Sequence, residues 1–270
     1  MNYDLKILEP PQPFQPGTIT LWSNEYIAGN ALKKHLDGQI DSGSRKTTTI
    51  DLSAKWIVSN SVAYPDVLDI GCGPGLYGNQ LSKMVRSYDG IDISQYQIAY
   101  ANSHNTAKGN AHYEVCDFRK WIPQKHYDTV LLMYAIYSFY CYEERINLLK
   151  KIRNVLNPNG SIIVEVFTPE HYAGRNNSTD WQCIKNGGFW SPNSYLELNA
   201  FSRYNERLVL IQAGIIDKEI NIWNSWIQLF DVAQIEEELK LAGFSEFSYY
   251  GSCYGECFTS HSEVLCVCAK

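Results

Sequence analysis

Residues 67–78, VLDIGCGPGLYG, run from a short strand-like stretch into glycines at 71, 73, 75 and 78. A strand that ends in glycine and opens a helix points free N–H groups outward, and the missing side chains let a ligand touch the main chain. Two ligand classes compete for such a loop. A nicotinamide or flavin dinucleotide wants G-x-G-x-x-G, whose last glycine lets the helix pack closely beside a pyrophosphate. Counted from Gly71, that last position is Leu76, so the pattern fails there. The chain offers Asp69-x-Gly71-x-Gly73-x-Gly75 instead. A carboxylate two residues before the first glycine sits poorly beside a pyrophosphate but suits a cationic ligand.

Two more carboxylates stand at strand ends. Asp92 closes GIDIS, 19 residues after Gly73, where it can accept both hydroxyl protons of a ribose. Asp117 follows the next strand in VCDF, placed to accept from an adenine amino group with Phe118 beside the ring. Either acid alone could simply cap a turn. The three acidic positions together point to a nucleoside with a positively charged extension.

The elements that must position these residues alternate. DVLDIG, YDGIDIS, AHYEVCDF, YDTVLLMY and SIIVEVF read as strands. GPGLYGNQLSKMV, SQYQIAYANSHNTA (capped by Ser94) and EERINLLKKIRNVL read as helices, and NPNG as a turn. Alternation over 66–167 predicts an α/β doubly wound sheet with right-handed crossovers. Before it, LWSNEYIAGNALKKHL is helical, with Ser23 or Asn24 as cap, and TIDLSAKWIVSNSV forms a second helix. After Pro169 the pattern breaks. YLELNAF, RLVLIQAGII and KEINIWNSW read as antiparallel strands. DVAQIEEELKLAGF returns to helix, with Asp231 and Gln234 resembling a capping box and Gly243 at its end, and EFSYYGSC and SEVLCVCAK are the last two strands.

Composition narrows the function classes. The chain has 270 residues, 45% hydrophobic and 19% charged, with a net charge of -6, so no basic surface advertises a polyanionic partner. No charged-then-apolar leader opens it and no apolar run is long enough to span a bilayer, so it reads as soluble and cytoplasmic, without a membrane partner. The eight cysteines are scattered without a zinc-ligand spacing, which predicts buried structural thiols and no metal site.

VLDIGCGPG, GIDIS, CDF and LNPNGSIIVEV, in that order and spacing, resemble the successive motifs of class I S-adenosylmethionine-dependent methyltransferases. The resemblance covers about 62–168 and returns at 231–270. It implies a seven-stranded, mostly parallel Rossmann-like sheet with S-adenosylmethionine over the strand C-terminal edges. Asp69 and Gly71 would lie near the methionyl part, Asp92 on the ribose, and Asp117 with Phe118 at the adenine, with Cys72, Gly73, Gly75 and Ile93 also binding the cofactor. Met133 and Tyr134 would border the sulfonium. The flanks LWSNEYIAGNALKKHLDGQIDSGSR and GGFWSPNSYLEL resemble a bacterial subgroup of small methyltransferases whose N-terminal helical cap closes over the cofactor. In that reading Arg45 pairs with the methionine carboxylate, since a planar fork matches a carboxylate. The implied organisation is a cap at 1–61, a core at 62–169 and 231–270, and an antiparallel insertion at 170–230 that forms a substrate lid.

The acceptor is less legible. An in-line methyl transfer asks chiefly for alignment and exclusion of water, and for a general base only where the acceptor is protonated. Tyr134, Glu165 and His171 are the catalytic candidates. Tyr26, Tyr137, Trp181, Trp190, Tyr204 and Trp226 would line a pocket for a small, partly apolar or cationic acceptor, or else form a core of the insertion's own. MYAIY stands where a flipped-base grip would carry N-P-P-Y, so a nucleic-acid substrate is not expected. The competing readings are a methyltransferase fold that binds without chemistry and a nicotinamide-dependent oxidoreductase. Oligomeric state leaves no mark in the sequence.

Overall fold

The computed structural model describes residues 10–22, 24–106 and 109–270. Helix α1 (Glu25–His35) starts at Asn24, whose Oδ1 accepts from the Ile27 N–H at 2.9 Å, and it buries Ile27, Ala28 and Ala31. Ser23, the other candidate cap, lies outside the described residues. Helix α2 (Thr47–Ser59) follows and buries Ile50, Ala54 and Ile57.

The alternating part comprises β1 (Asp66–Ile70), α3 (Leu76–Leu81), β2 (Ser87–Asp92), α4 (Gln95–Ser103), β3 (Ala111–Val115), β4 (Tyr127–Leu132), α5 (Tyr142–Val155) and β5 (Leu156–Phe167). Four strands of the insertion come next: β6 (Ser178–Ile184), β7 (Tyr195–Asn205), β8 (Leu208–Ile216) and β9 (Ile220–Gln228). Helix α6 (Val232–Leu241), β10 (Phe247–Tyr250) and β11 (Val264–Ala269) complete the chain. The large sheet runs β10-β11-β5-β4-β1-β2-β3 and the small one β6-β7-β8-β9. Strands β1 to β5 are parallel, while β11 runs antiparallel to both β5 and β10. This is the expected doubly wound sheet with seven strands and an antiparallel addition. Between β1 and β4 the strand order reverses, and such a crevice at the carboxyl ends is where open α/β sheets hold ligands.

Central strands buried on both faces require helices on both. Leu148, Leu149 and Ile152 of α5 pack with Ile235 and Leu239 of α6 on one face. Ile50, Ile57, Leu81 and Ile98, from α2, α3 and α4, cover the other.

Four local expectations shift. Helix α3 is only Leu76–Leu81, because Gly75 adopts a left-handed conformation as its cap and the chain turns at Ser82. Strand β4 ends at Leu132, since Tyr134 and Ala135 take φ of 51° and 56°. Asn157–Gly160, expected as a turn, is carried within β5, where the pairing with β4 shifts register and Asn159 has φ 68°. This is bulge behaviour. The insertion has a fourth strand, β6, that its sequence hides: its residues are exposed on both sides as far as Cys183, so no hydrophobic alternation marks it. The cysteines are all unpaired; Cys72, Cys253 and Cys266 are buried, whereas Cys183 and Cys257 are exposed.

Candidate active site

The glycine loop leaves β1 through three left-handed glycines, Gly71, Gly73 and Gly75, at φ 80°, 55° and 77°. A Cβ at Gly71 would stand 2.9 Å from Ile136 Cγ1, and one at Gly75 2.8 Å from the Tyr113 ring, so both positions need glycine. The loop is tied to β2. Gly71 and Cys72 donate to the Ile91 carbonyl at 2.8 and 3.1 Å. Asp92, at the end of β2, accepts from Gly73 N at 3.0 Å on one oxygen and from Ser94 N at 2.8 Å on the other. One carboxylate thus braces the loop and the start of α4, and each oxygen keeps a further lone pair. Burial pushes the Asp92 carboxyl above its ordinary value, against the pull of those two N–H groups.

Asp69 lies beneath the loop, 2% exposed, and accepts from the Tyr88 hydroxyl at 2.5 Å. Burial pushes its carboxyl up to about 7, against the Tyr88 hydrogen bond and with the help of the Asp92 charge. Cys72 is buried, and Ile93 is 46% exposed on the surface beyond Asp92. Asp117 is gripped by Arg119, whose Nε lies 2.9 Å from both carboxylate oxygens while Nη2 bonds Oδ2 at 2.7 Å. That fork holds the Asp117 carboxyl low. Phe118 is buried against Tyr140, with ring centroids 4.6 Å apart and edge-on. Met133 packs into the core on the α2–α3 side.

A second centre forms where the loop after α1 meets β4 and β5. Arg45 donates through Nε to Glu165 Oε1 at 3.0 Å and through Nη2 to the same oxygen, and its Nη1 reaches Asp41 Oδ2 at 3.2 Å. Glu165 is fully buried, and its other oxygen accepts from Tyr134 N at 2.6 Å. The Arg45 guanidinium stands 5.0 Å from the Tyr134 ring centroid. Burial alone would lower the pKa of Arg45, but the charge and hydrogen bonds of Glu165 outweigh it and the net direction is up. Burial pushes the Tyr134 phenol up, against the pull of Arg45. The left-handed turn at Tyr134 and Ala135 costs on the order of 1–3 kcal/mol per residue, and Glu165 holding the Tyr134 N–H helps to pay for it.

Next to this pair, Tyr134 meets Phe167 edge-on with centroids 6.3 Å apart, and His171 stacks on Phe167 at 3.9 Å and 12°. His171 Nδ1 lies 3.6 Å from Glu263 Oε2. Burial lowers the His171 pKa, against the Glu263 charge.

The cap seals the loop from above. His35, at the end of α1, bonds Ser44 Oγ through Nδ1 at 3.0 Å, and a Cβ on Gly73 would approach that nitrogen to 3.5 Å. Burial lowers the His35 pKa to about 4. Nothing around His35 in the sequence announces this place. At the other end of α1, Tyr26 donates to the Gly188 carbonyl at 2.7 Å and Asn30 to the Phe189 carbonyl at 3.1 Å, which ties the cap to the insertion. A cavity of about 790 Å³ opens beside that contact, lined in part by Tyr26, Trp190, Ile215 and Asn221.

The aromatic candidates divide. Trp190 stays at the cavity, 5.4 Å from Trp223, with Nε1 donating to Glu197 Oε1 at 3.3 Å. Tyr137 is fully buried, and its hydroxyl donates to Glu238, which Arg145 also holds at 3.0 and 2.6 Å. This Tyr–Glu–Arg network escaped sequence reasoning, although Glu238 falls on the same face of α6 as Ile235 and Leu239. Trp226 and Tyr204 receive the N-terminal lead-in instead of a ligand: Trp226 Nε1 donates to the Gln15 carbonyl and Tyr204 to the Pro11 carbonyl, each at 2.8 Å. Trp181 is 69% exposed on β6. Those four side chains have packing or surface places rather than places around the second centre. Among the described residues no group of His, Cys, Asp and Glu is arranged to hold a metal ion, and no helix is long and apolar enough to cross a membrane.

Residues 67–160 match the family model of a methyltransferase domain. A malonyl-[acyl-carrier protein] O-methyltransferase of Ilyobacter polytropus is 30% identical over 109 residues, 40% of this chain and 41% of that one. The match thus spans about two fifths of the length of the curated relatives. Among solved structures, an S-adenosylmethionine-dependent methyltransferase of Clostridium acetobutylicum superposes with a TM-score of 0.67 at 14% identity, covering 90% of this chain and 97% of that one. The CcbJ methyltransferase of Streptomyces caelestis gives 0.63 at 15% identity, covering 82% and 88%. Residues 67–160, which carry the glycine loop and the Asp92 brace, are thus a methyltransferase domain, and the chain shares the fold of S-adenosylmethionine-dependent methyltransferases of known structure.

Proposed function

We propose that this chain transfers a methyl group from S-adenosylmethionine to an oxygen or nitrogen atom of a small molecule. The observation that carries the reading is Asp92. Its carboxylate stands at the end of β2 against a loop of three left-handed glycines, with a lone pair left on each oxygen. That arrangement fits a ribose beside a ligand pressed onto the backbone, and the buried Asp69 below fits a ligand with positive charge.

Gly71, Cys72, Gly73 and Gly75 would carry the cofactor along their main chain, Asp92 and Ile93 would hold its ribose, and Asp117 with Phe118 would border its adenine. Asp69, Met133 and Arg45 would face the methionyl end. Arg45 keeps two arms on Glu165, so Nη1, whose partner Asp41 is a surface residue, is the arm available to a carboxylate. When bound, the sulfonium supplies an electrophilic methyl group and leaves as a neutral thioether. The protein then has to exclude water and align the acceptor. The cap formed by α1 and α2 and the insertion at 170–230 would do the first, and Tyr134 the second. Glu165 anchors Arg45 and the Tyr134 backbone. For the acceptor, Tyr26 and Trp190 at the cavity remain candidates. The Ilyobacter relative is named as an O-methyltransferase, which supports oxygen as one acceptor atom.

Calorimetric titration with S-adenosylmethionine, S-adenosylhomocysteine and NAD in parallel tests the reading. Micromolar binding of the two sulfur ligands and none of NAD is expected. Binding of NAD alone would overturn it.

A further inference from the structure

Resting on the methyl-transfer reading, we infer that His171, oriented by Glu263, accepts the proton of the methyl acceptor, so the acceptor atom is a hydroxyl oxygen or an amine nitrogen that carries a proton at neutral pH.

The pair is fixed by one backbone clasp. Thr168 follows β5, its N–H donates to the Glu263 carbonyl at 3.1 Å and its hydroxyl to the Ser262 carbonyl at 2.6 Å. The same Thr168 caps the turn that carries His171: its carbonyl accepts from His171 N at 3.1 Å, and its hydroxyl from Glu170 N at 3.2 Å. Two residues 92 positions apart are therefore held side by side. The ring itself is clamped between Phe167, stacked at 3.9 Å, and Tyr172, edge-on at 4.7 Å.

Nδ1 is buried and has no hydrogen-bond partner. The Glu263 carboxylate stands 3.6 Å from it, on a side chain that is 69% exposed. A buried imidazole nitrogen facing a carboxylate carries the proton, which leaves the lone pair on Nε2, across the ring. The side chain is 27% exposed, so the ring is open on one side. The charged and titratable groups that act on it are Glu263 before β11, Arg45 on the cap loop and Tyr172 on its own turn. Of these only Glu263 favours a proton on the ring.

The step balances without any further reactant. A hydroxyl oxygen passes its proton to Nε2 as it bonds to the methyl carbon, an ammonium nitrogen passes its proton to Nε2 first and then attacks with the freed lone pair, and in both cases the electron pair of the broken carbon–sulfur bond leaves with the sulfur. An acceptor whose attacking atom already lacks a proton would have no use for the pair. Glu263 is a positioning residue: it sets the tautomer and never touches the acceptor.

Nitrogen–proton correlation spectra of the imidazoles, recorded on the full chain with S-adenosylhomocysteine bound, test the assignment. Neutral His171 is expected to hold its proton on Nδ1 and to titrate below the ordinary histidine value. Glu263→Gln should shift the population toward Nε2–H and lower the pKa further. An Nε2–H tautomer in the unaltered protein, or a spectrum indifferent to Glu263→Gln, would overturn the proposal. With catechol, benzylamine and dimethyl sulfide as probe acceptors, the last with no proton on its attacking atom, turnover is expected for the hydroxyl or amine probes. His171→Asn should then lose roughly 100-fold or more in kcat with KM little changed. Turnover of the sulfide alone, or an unchanged kcat, would equally overturn it. Calorimetry keeps the two readings apart: S-adenosylhomocysteine should bind both variants normally, whereas failure to bind the unaltered protein sinks the methyl-transfer reading itself.

Discussion

The two ends of the site are built in opposite ways. At the glycine loop, Gly71, Gly73, Gly75, Asp92 and Ser94 fall within a short stretch of chain and are locked chiefly by backbone N–H groups. At the Arg45–Glu165 centre, Arg45 and Glu165 are 120 residues apart, Tyr134 and Glu165 31 apart, and the contacts converge on the Glu165 side chain. A local turn can be written as a motif, because the loop and the strand beside it specify each other. A centre assembled from a cap loop, two strand ends and a turn has no such signature. The first should tolerate changes elsewhere in the fold; the second depends on all of it.

The largest expected effect tests that dependence. Arg45→Ala leaves the Glu165 charge buried without its partner, which should cost about 3–5 kcal/mol of stability, read as a shift in denaturation midpoint. A loss below about 1 kcal/mol would mean that the second centre is not held by this pair.

Acid is the next probe, and it acts through the cap above the glycine loop. The His35 pKa is about 4 in the folded chain and near 6.5 when unfolded, so folding favours the neutral ring. Its contribution is fully present above 6.5 and is lost as pH falls toward 4, by at most about 3 kcal/mol. Denaturation at pH 7 and pH 4.5 should show the loss in the unaltered protein and less of it in His35→Asn. Equal acid sensitivity in both would remove His35 from the account.

A smaller effect concerns the glycine loop alone. Asp92→Ala should weaken S-adenosylhomocysteine binding by roughly 1–3 kcal/mol, measured by calorimetry, through the loss of a carboxylate acceptor. An unchanged dissociation constant would detach Asp92 from the ribose. The smallest is a control in the insertion. Trp181→Ala, at an exposed position on β6, should change stability by less than about 0.5 kcal/mol and leave cofactor binding alone.

Legibility in the sequence follows the same divide. The strands and helices of 66–167 could be read because apolar runs and amphipathic periods are properties of neighbouring residues. So could the caps at Asn24, Ser94 and Asp231, each of which accepts from the N–H three residues on. Strand β6 could not be read, since its exposure leaves no alternation to see. Tyr137 could be recognised as aromatic, but only the packing of α5 against α6 gives its hydroxyl to Glu238. Tyr204 and Trp226 resembled a ligand cage until the lead-in at Pro11 and Gln15 took their polar atoms. His35 showed no context because its neighbours, Ser44 and Gly73, arrive from a loop and a strand end.

By itself, the sequence determined the sheet, the left-handed glycine loop and the acids that follow it, because backbone conformation and strand-end spacing are set over a few residues. Only the tertiary structure decided that Arg45 meets Glu165, that His171 meets Glu263, and which aromatics face packing instead of the site. Those contacts join side chains tens to more than a hundred residues apart, and their free energy exists only once the intervening chain has folded.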